Sequence, residues 1–307
     1  MSKLISVIVP VYNEGENIES LVDEIAIHMN GFQYEIIFIN DGSTDNSLLT
    51  LNMISQKRDN VYYVSFVRNF GHQQALKAGL DIAKGHAVIS MDGDHQHPPH
   101  LLPQMIESWE EGHKVVIMQR IDTHEIGFFK KYSSSLFYSF FNKISNIKIN
   151  QGESDFRLLD REVVDVLKNM NHRSLFIRGL VRLLGYPAKE IQYKVAKRLN
   201  GKSKYSLKKM ISLAINGILS ISEKPLYFVI YVGMLSLIVG VITGIYSLLS
   251  FLGGFTIKGW TSTLMIISFF SGIQIMMLGI IGLYVGRVFT HSLNQPTYLI
   301  GQTNYKK

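Results

Sequence analysis

Apolar residues follow two alternating rhythms through the first 120 positions. Short blocks rich in branched and aromatic side chains recur: LISVIVPVY (4–12), YEIIFIND (34–41), VYYVSFV (61–67), HAVISMD (86–92) and KVVIMQR (114–120). Between them, at 17–29, 44–57, 72–84 and 100–112, apolar positions return every three or four residues. The first rhythm predicts buried strands and the second amphipathic helices. Thr44 or Asp45 is placed to cap the second helix. Buried strands alternating with helices predict an α/β fold, with a mainly parallel sheet covered on both faces. Ligands of such sheets bind beyond the carboxyl ends of the strands, where Glu14, Asp41, Asp92 and Asp94 fall.

The pattern changes after Arg120. Phe129, Tyr132, Leu136, Phe137, Phe140 and Ile144 recur at helical spacing, which suits an ordinary core face and equally a helix lying on a membrane. In 205–221 the polar side is sharper: Lys208, Lys209, Ser212, Asn216 and Ser220 line one face and apolar residues the other, as in an interfacial helix. Two uncharged stretches follow, 225–254 and 260–286, each longer than the roughly 20 helical residues that span a bilayer. Both are predicted to be transmembrane helices. The first apolar run of the chain breaks at Pro10 and leads into NEGEN, so it reads as a strand and not a signal segment.

Charge sharpens this picture. The net charge is +7, and from Pro225 onward there is no Asp or Glu. Eleven Lys/Arg and a single acid, Glu190, lie between Arg173 and Lys209. A basic segment directly before a membrane helix points to anionic lipid or a phosphorylated lipid substrate more simply than to nucleic acid. Basic residues flank both long apolar stretches on their outer sides, while the connection between them carries only Lys258; this predicts both ends in the cytoplasm. The chain has no cysteine, which excludes disulfides and thiolate metal sites.

The densest chemistry lies in SMDGDHQHPPH (90–100). His95, His97 and His100 suggest zinc, but Pro98 and Pro99 end the strand and no second zinc-like ligand set is present. A D-x-D at a strand terminus suits a hard cation, Mg2+ or Mn2+, bound by Asp94 and the Gln96 amide and completed by substrate phosphates, with Asp92 supporting the metal or the nucleotide ribose. NGKSKY (200–205) carries the tail of a phosphate loop, yet Ala196 stands where the loop needs glycine. No G-x-G-x-x-G occurs either.

The D-x-D is part of the last of four ordered motifs: VPVYNE (9–14), NDGSTD (40–45), RNFGHQQALKAGLD (68–81) and MDGDHQHPP (91–99). Together they make 1–120 resemble the GT-A domain of family 2 glycosyltransferases. SDFRLLDREVVD (154–165), RGLVRLLGY (178–186), KRLNGKSKYSLKKM (197–210) and the closing YVGRVF…QPTYLI (284–300) narrow the resemblance to polyisoprenyl-phosphate glycosyltransferases of the bacterial bactoprenyl type. The resemblance covers nearly the whole chain. It implies a cytoplasmic GT-A domain over 1–204, with an amphipathic acceptor region at 126–145. A juxtamembrane helix (205–224), two transmembrane helices (225–289) and a cytoplasmic tail (290–307) follow.

The resemblance also implies roles. Pro10, Tyr12, Glu14 and Asp41 line a uridine pocket, Asp41 at the uracil edge. Asp92, Asp94 and Gln96 fall on the metal and diphosphate site. Arg120 matches an arginine near the acceptor phosphate, Asp155 the usual catalytic base. Arg157, Arg198 and Lys204 are expected at the diphosphate or the lipid phosphate. Gly93, His95 and His97 depart from the family, where relatives commonly have Ala, Leu and Asp. A lipid monophosphate has a second pKa of about 6 and is already anionic at neutral pH, so Asp155 is expected either as a base or as a residue orienting Arg157 or the acceptor. The implied reaction is inverting transfer of one sugar from a UDP-sugar to undecaprenyl phosphate, at the cytoplasmic face of the cell membrane. Glucose is the first choice and GlcNAc the second, the product being a lipid-linked sugar donor for envelope glycans. A tetramer is the implied assembly. The competing class is a non-catalytic membrane-tethered sensor or flippase scaffold. Processive polysaccharide synthases are disfavoured, because neither Trp109 nor Trp260 lies in a Q-x-x-R-W motif.

Overall fold

The computed structural model describes residues 3–121, 153–170, 176–194, 224–253, 259–293 and 296–305. Among them, eight strands form one sheet: β1 (Leu4–Val11), β2 (Gln33–Asn40), β3 (Val61–Phe66), β4 (Ala87–Ser90), β5 (Val115–Ile121), β6 (Glu153–Asp160), β7 (Ala188–Lys194) and β8 (Ile300–Thr303). Their order is β7-β5-β6-β4-β1-β2-β3-β8. The helices are α1 (Ile18–His28), α2 (Ser47–Lys57), α3 (His72–Ile82), α4 (Leu102–Glu110), α5 (Arg161–Asn169), α6 (Ile177–Leu183), α7 (Lys224–Leu252) and α8 (Trp260–Ser292). The five strands and four helices read from the first 120 residues are all present. The N-cap of α2 is Asn46 and not Thr44 or Asp45, although Asp45 Oδ1 accepts from Ser47 N, the first residue of the helix, at 3.0 Å.

The sheet is less parallel than its pattern predicts. β1–β4 run parallel, and β5 runs parallel to β7. β6 lies antiparallel between β4 and β5, and β8 lies antiparallel on the outer edge of β3. Successive residues of the central strands feed two cores. On one face Val7, Val9, Phe38, Ile89 and Phe156 pack with α1, α2 and α4. On the other Ile8, Ile37, Ile39, Val88 and Leu159 pack with α3, α5 and α6. A sheet buried on both faces has to be apolar at nearly every position, which is why these strands read as continuous blocks.

Pro10 sits inside a central strand without breaking it. Pairing of β1 with β4 ends at Ile8↔Ser90, with Met91 N donating to Ile8 O. The nitrogen of residue 10 faces the same side one step further on, where no ladder bond is needed.

The chain divides into two compact units, one holding the sheet and α1–α6, the other α7 and α8. Among the described residues one helical window, Phe269–Gly286, is long and apolar enough to cross a membrane, and α7 carries a shorter apolar run at Val229–Ile242. The amphipathic segments expected at 126–145 and 205–221 lie outside the described residues.

After α8 the chain returns to the sheet. Besides the β8 ladder, Tyr298 stacks on Phe66 (ring centroids 5.1 Å apart) and its hydroxyl donates to Asp81 Oδ2 at 3.1 Å. The Tyr305 hydroxyl donates to Glu35 Oε2 at 2.9 Å. Glu35 is 7 % exposed, and its other oxygen accepts from Ser6 Oγ and Lys84 N. Burial and the adjacent carboxylates raise the pKa of both phenols, so they remain donors at every physiological pH. Tyr305→Phe leaves buried Glu35 short of one donor and is expected to cost about 1–3 kcal/mol. Urea unfolding followed by Trp109 fluorescence in a Trp260→Phe background checks this.

Candidate active site

The carboxyl edge of the sheet is built from loops that lace one another. Asn13 takes a left-handed backbone (φ 56°), which lets its N–H donate to Ser43 Oγ at 2.9 Å and its Oδ1 accept from Thr44 N at 2.8 Å. Glu14 N donates to Ser47 Oγ and Gly15 N to Asp45 Oδ2, both at 3.1 Å. The turns after β1 and β2 are thereby one rigid wall. Tyr12 stands on it 40 % exposed, open to a flat partner. Gly42 (φ 66°) allows the β2 turn to press against the backbone of Arg68, where a Cβ would fall 2.3 Å from a main-chain atom.

Asp41 does not present its carboxylate outward. It is 4 % exposed, and its oxygens accept from Phe70 N at 2.7 Å and Gly71 N at 2.9 Å. It therefore shapes the entrance to α3. Burial raises its pKa, against the opposing pull of those two N–H groups and His72.

β4 delivers Asp92 and Asp94 to the same edge. Gly93 between them packs closely on β1: a Cβ there would meet Val11 Cγ1 at 2.8 Å, a contact that a small shift of the valine relieves. Asp92 Oδ1 is buried without a hydrogen bond, 3.5 Å from His72 Nε2. Asp94 Oδ1 accepts from Gln96 N at 3.1 Å, bringing Gln96 into the same turn. Among the described residues no group of three or more His, Cys, Asp or Glu gathers as a metal cage. Two carboxylates in one turn, one oxygen of Asp92 lacking a hydrogen bond, fit a hard cation whose shell is completed by water and substrate phosphate.

The histidines of this stretch face away from it or brace it. His95 (φ 59°) is buried against α1, its Nε2 hydrogen-bonded with Ser20 Oγ at 3.0 Å. The His97 ring stacks on Phe156 and bonds back to Asp92 N. Burial lowers the pKa of His97 despite Asp92 and Asp94, keeping it neutral.

Next to Asp92 lies a buried ionic array on β6 and α6. Glu153, Asp155 and Arg157 share one face of β6 by strand alternation, and Arg178 and Arg182 share one face of α6 by i,i+4 spacing. Arg178 grips Asp155 as a fork (Nε–Oδ1 3.0 Å, Nη2–Oδ2 2.8 Å), and Arg182 reaches Glu153 at 3.1 Å. Gln73 Nε2 donates to Asp155 Oδ2 at 3.2 Å, and His72 Nε2 stands 3.5 Å from the same oxygen. Burial works against the Asp155 charge, but Arg178, His72 and Arg157 overcome it and hold its pKa well below the usual carboxylate range. For His72, burial likewise opposes the charged form, while Asp92 and Asp155 prevail and push its pKa up to about 9.

Arg157 requires a correction. Expected at a phosphate, it is 1 % exposed, with Nη2 donating to Ser154 O and Asp155 Oδ1 and with Nε and Nη1 unpartnered. The reason is strand alternation, which turns it beneath Asp155 into the sheet–helix interface. Arg120 is exposed at the end of β5. Arg198 and Lys204 lie outside the described residues. His72, Gln73 and Arg178 were not singled out from sequence, although RNFGHQQ and RGLVRLLGY contain them.

Removing the Asp155 charge strands two arginines, one of them fully buried. Asp155→Asn is expected to cost about 3–5 kcal/mol, against less than about 0.5 kcal/mol for Asp165→Asn in its exposed pair with Arg161. The folded pKa of Asp155 lies below its unfolded value near 3.8, so its stabilisation is complete above that value and fades as pH falls through the folded one. Urea titrations at neutral and acid pH are therefore expected to show the gap between wild type and Asp155→Asn narrowing in acid.

Comparison with known proteins bears on this edge directly. The family model described as glycosyl transferase family 2 matches residues 6–167. The chain is 39 % identical to the uncharacterized glycosyltransferase YkcC of Bacillus subtilis, over 96 % of this chain and 92 % of that protein. It is 37 % identical to the prophage bactoprenol glucosyl transferase homolog of Escherichia coli K12, over 96 % and 98 %. With the bactoprenol glucosyl transferase of Shigella phage SfV it shares 36 % identity over 98 % and 99 %. The family match runs from β1 into α5 and so takes in both Asp92–Asp94 and Asp155; the chain belongs to glycosyl transferase family 2 and is a glycosyltransferase.

Proposed function

We propose that this glycosyltransferase moves a single sugar from a UDP-sugar, glucose first among the candidates, to a polyisoprenyl phosphate such as undecaprenyl phosphate. The observation that carries the acceptor class is the state of Asp155. Both its oxygens are engaged by Arg178, Arg157 and Gln73, and its pKa is depressed. A carboxylate so held is a weak base, and attack by a sugar hydroxyl needs a base poised to take its proton. A phosphate monoester needs none, being anionic already. Asp155 then serves by keeping Arg178 and His72 in place at the rim. Bactoprenol glucosyl transferases among the full-length relatives support the same acceptor.

On the donor side, Tyr12 and the wall of residues 12–17 and 41–47 receive the nucleoside, Pro10 and Asp41 shaping it from beneath. Glu14 lies on the same wall. Asp92, Asp94 and Gln96 hold Mg2+ or Mn2+, which when bound neutralises charge on the departing diphosphate. Arg120, Arg198 and Lys204 provide cations for the diphosphate and the acceptor phosphate. The inverting outcome follows from a single displacement by the phosphate oxygen, with no enzyme-bound sugar.

The acceptor's lipid places the reaction at a membrane, and α7 and α8 are read as a two-span hairpin. The ladder between β8, which follows α8, and β3, which precedes α7, supports this: both ends of the helix pair rejoin one unit, as an even number of crossings requires. The surplus of basic residues at those ends puts that unit in the cytoplasm.

Purified protein, radiolabelled UDP-sugars and undecaprenyl phosphate test the reaction. Lipid-extractable label that EDTA abolishes and Mn2+ or Mg2+ restores is expected, strongest with UDP-glucose. Donor binding without glycolipid would favour a sensor or scaffold instead. The absence of native cysteine permits a clean topology test. In intact cells a membrane-impermeant maleimide is expected to label Lys258→Cys and to spare Lys307→Cys; equal labelling of both would overturn the hairpin.

A further inference from the structure

The loop that carries Asp92 and Asp94 is closed by one side chain. Met91 N makes the last ladder bond of β4, to Ile8 O at 3.1 Å, so Asp92 N–H is the first donor beyond the sheet. That donor goes to Nδ1 of His97, five residues on, at 2.8 Å. Accepting it fixes the tautomer: Nδ1 is bare and the ring proton sits on Nε2. Nε2 in turn lies 3.5 Å from Asp92 Oδ2, so the same imidazole meets both the backbone and the carboxylate of Asp92. The ring cannot swing away. It is 4 % exposed, lies nearly parallel to Phe156 (centroids 4.9 Å, planes 10° apart), and meets Tyr193 edge-on at 6.3 Å.

We propose that His97 is a positioning residue for the cation and diphosphate site: clasped between Asp92 and the β6–β7 aromatic pair, it holds Asp92 and Asp94 in binding geometry before any ligand arrives. The inference rests on the reading of Asp92 and Asp94 as the diphosphate–cation site. Its physical content is preorganisation. A loop of six residues beyond a strand end would otherwise sample many conformations, and each ligand encounter would bear the cost of ordering it. The Asp94–Gln96 turn and the His95–Ser20 contact brace the middle of the loop, but only His97 ties its last residue to its first.

Two substitutions separate the clasp from the packing. His97→Phe keeps a flat ring for Phe156 and Tyr193 but has no acceptor. His97→Asn sets an amide oxygen two bonds from Cβ, where Nδ1 stood, and gives up the ring. Two readouts on the full-length protein in detergent apply: hydrogen exchange of the peptide spanning 91–98 without ligand, and calorimetric binding of UDP with Mn2+. His97→Phe is expected to speed exchange and weaken Mn2+-dependent UDP binding by about 10–100-fold, the usual consequence of losing a residue that orients a metal ligand, with its melting temperature close to wild type. His97→Asn is expected to keep most of both properties. Unchanged exchange and affinity in His97→Phe would overturn the proposal, as would equal losses in the two variants. Wild-type protein that binds no UDP with Mn2+ would instead sink the donor-site reading itself, and the inference with it. That outcome is visible before any variant is made.

Discussion

A carboxylate only 2 % exposed at the rim of a sheet is stable only if donors and cations converge on it, and at Asp155 they come from three elements. Arg178 brings α6, Gln73 and His72 bring the start of α3, and Arg157 rises from β6 itself. Ser90 Oγ donates to the Asp155 carbonyl and ties in β4. Without that convergence the buried charge would be untenable by several kcal/mol. The helices that meet it are therefore held in register with the carboxyl edge of the sheet, and are not merely packed by apolar contact.

The same strand governs the opposite side of the site through its alternation. Asp155 faces α3 and α6, while its neighbour Phe156 faces the other core and lies under His97. One residue step along β6 thus separates the ions around Asp155 from the support of the Asp92–Asp94 loop. A shift of β6 by one register would move both at once, since alternation swaps the faces of every residue. The antiparallel placement of β6 between β4 and β5 is what brings its amino-terminal half, and not its carboxyl end, to this edge.

This geometry marks where the sequence was legible. β1–β5 and α1–α4 could be read because double-sided burial writes itself as continuous branched blocks, and helices as three-and-four spacing. Strand direction has no such signature, so the reversal of β6 was invisible, as was β8: IGQT is short, polar and paired across more than 230 residues of chain. The D-x-D stood out by composition alone. Arg157 and Arg178 are the same residue type in two quoted motifs, and only the face of β6 and the i,i+4 face of α6 decide which is buried and which grips Asp155 from the rim. His72 was hidden for a similar reason, since its importance comes from lying 3.5 Å from both Asp92 and Asp155, which are distant from it in sequence.

The histidine at 97 shows how one geometric demand admits different residues. The loop needs an acceptor two bonds from a Cβ at that point, aimed at Asp92 N. Imidazole Nδ1 meets that need, and the carboxylate oxygen of an aspartate would meet it too. The two differ in charge and in shape. An aspartate would put a third acid beside Asp92 and Asp94 and leave the surface of Phe156 and Tyr193 without a ring to cover it. A neutral imidazole keeps the loop at two acids and fills that surface. On the proposed reading of this loop as the cation site, the local field is set by Asp92 and Asp94, while the rigidity of their loop is delegated to an uncharged ring.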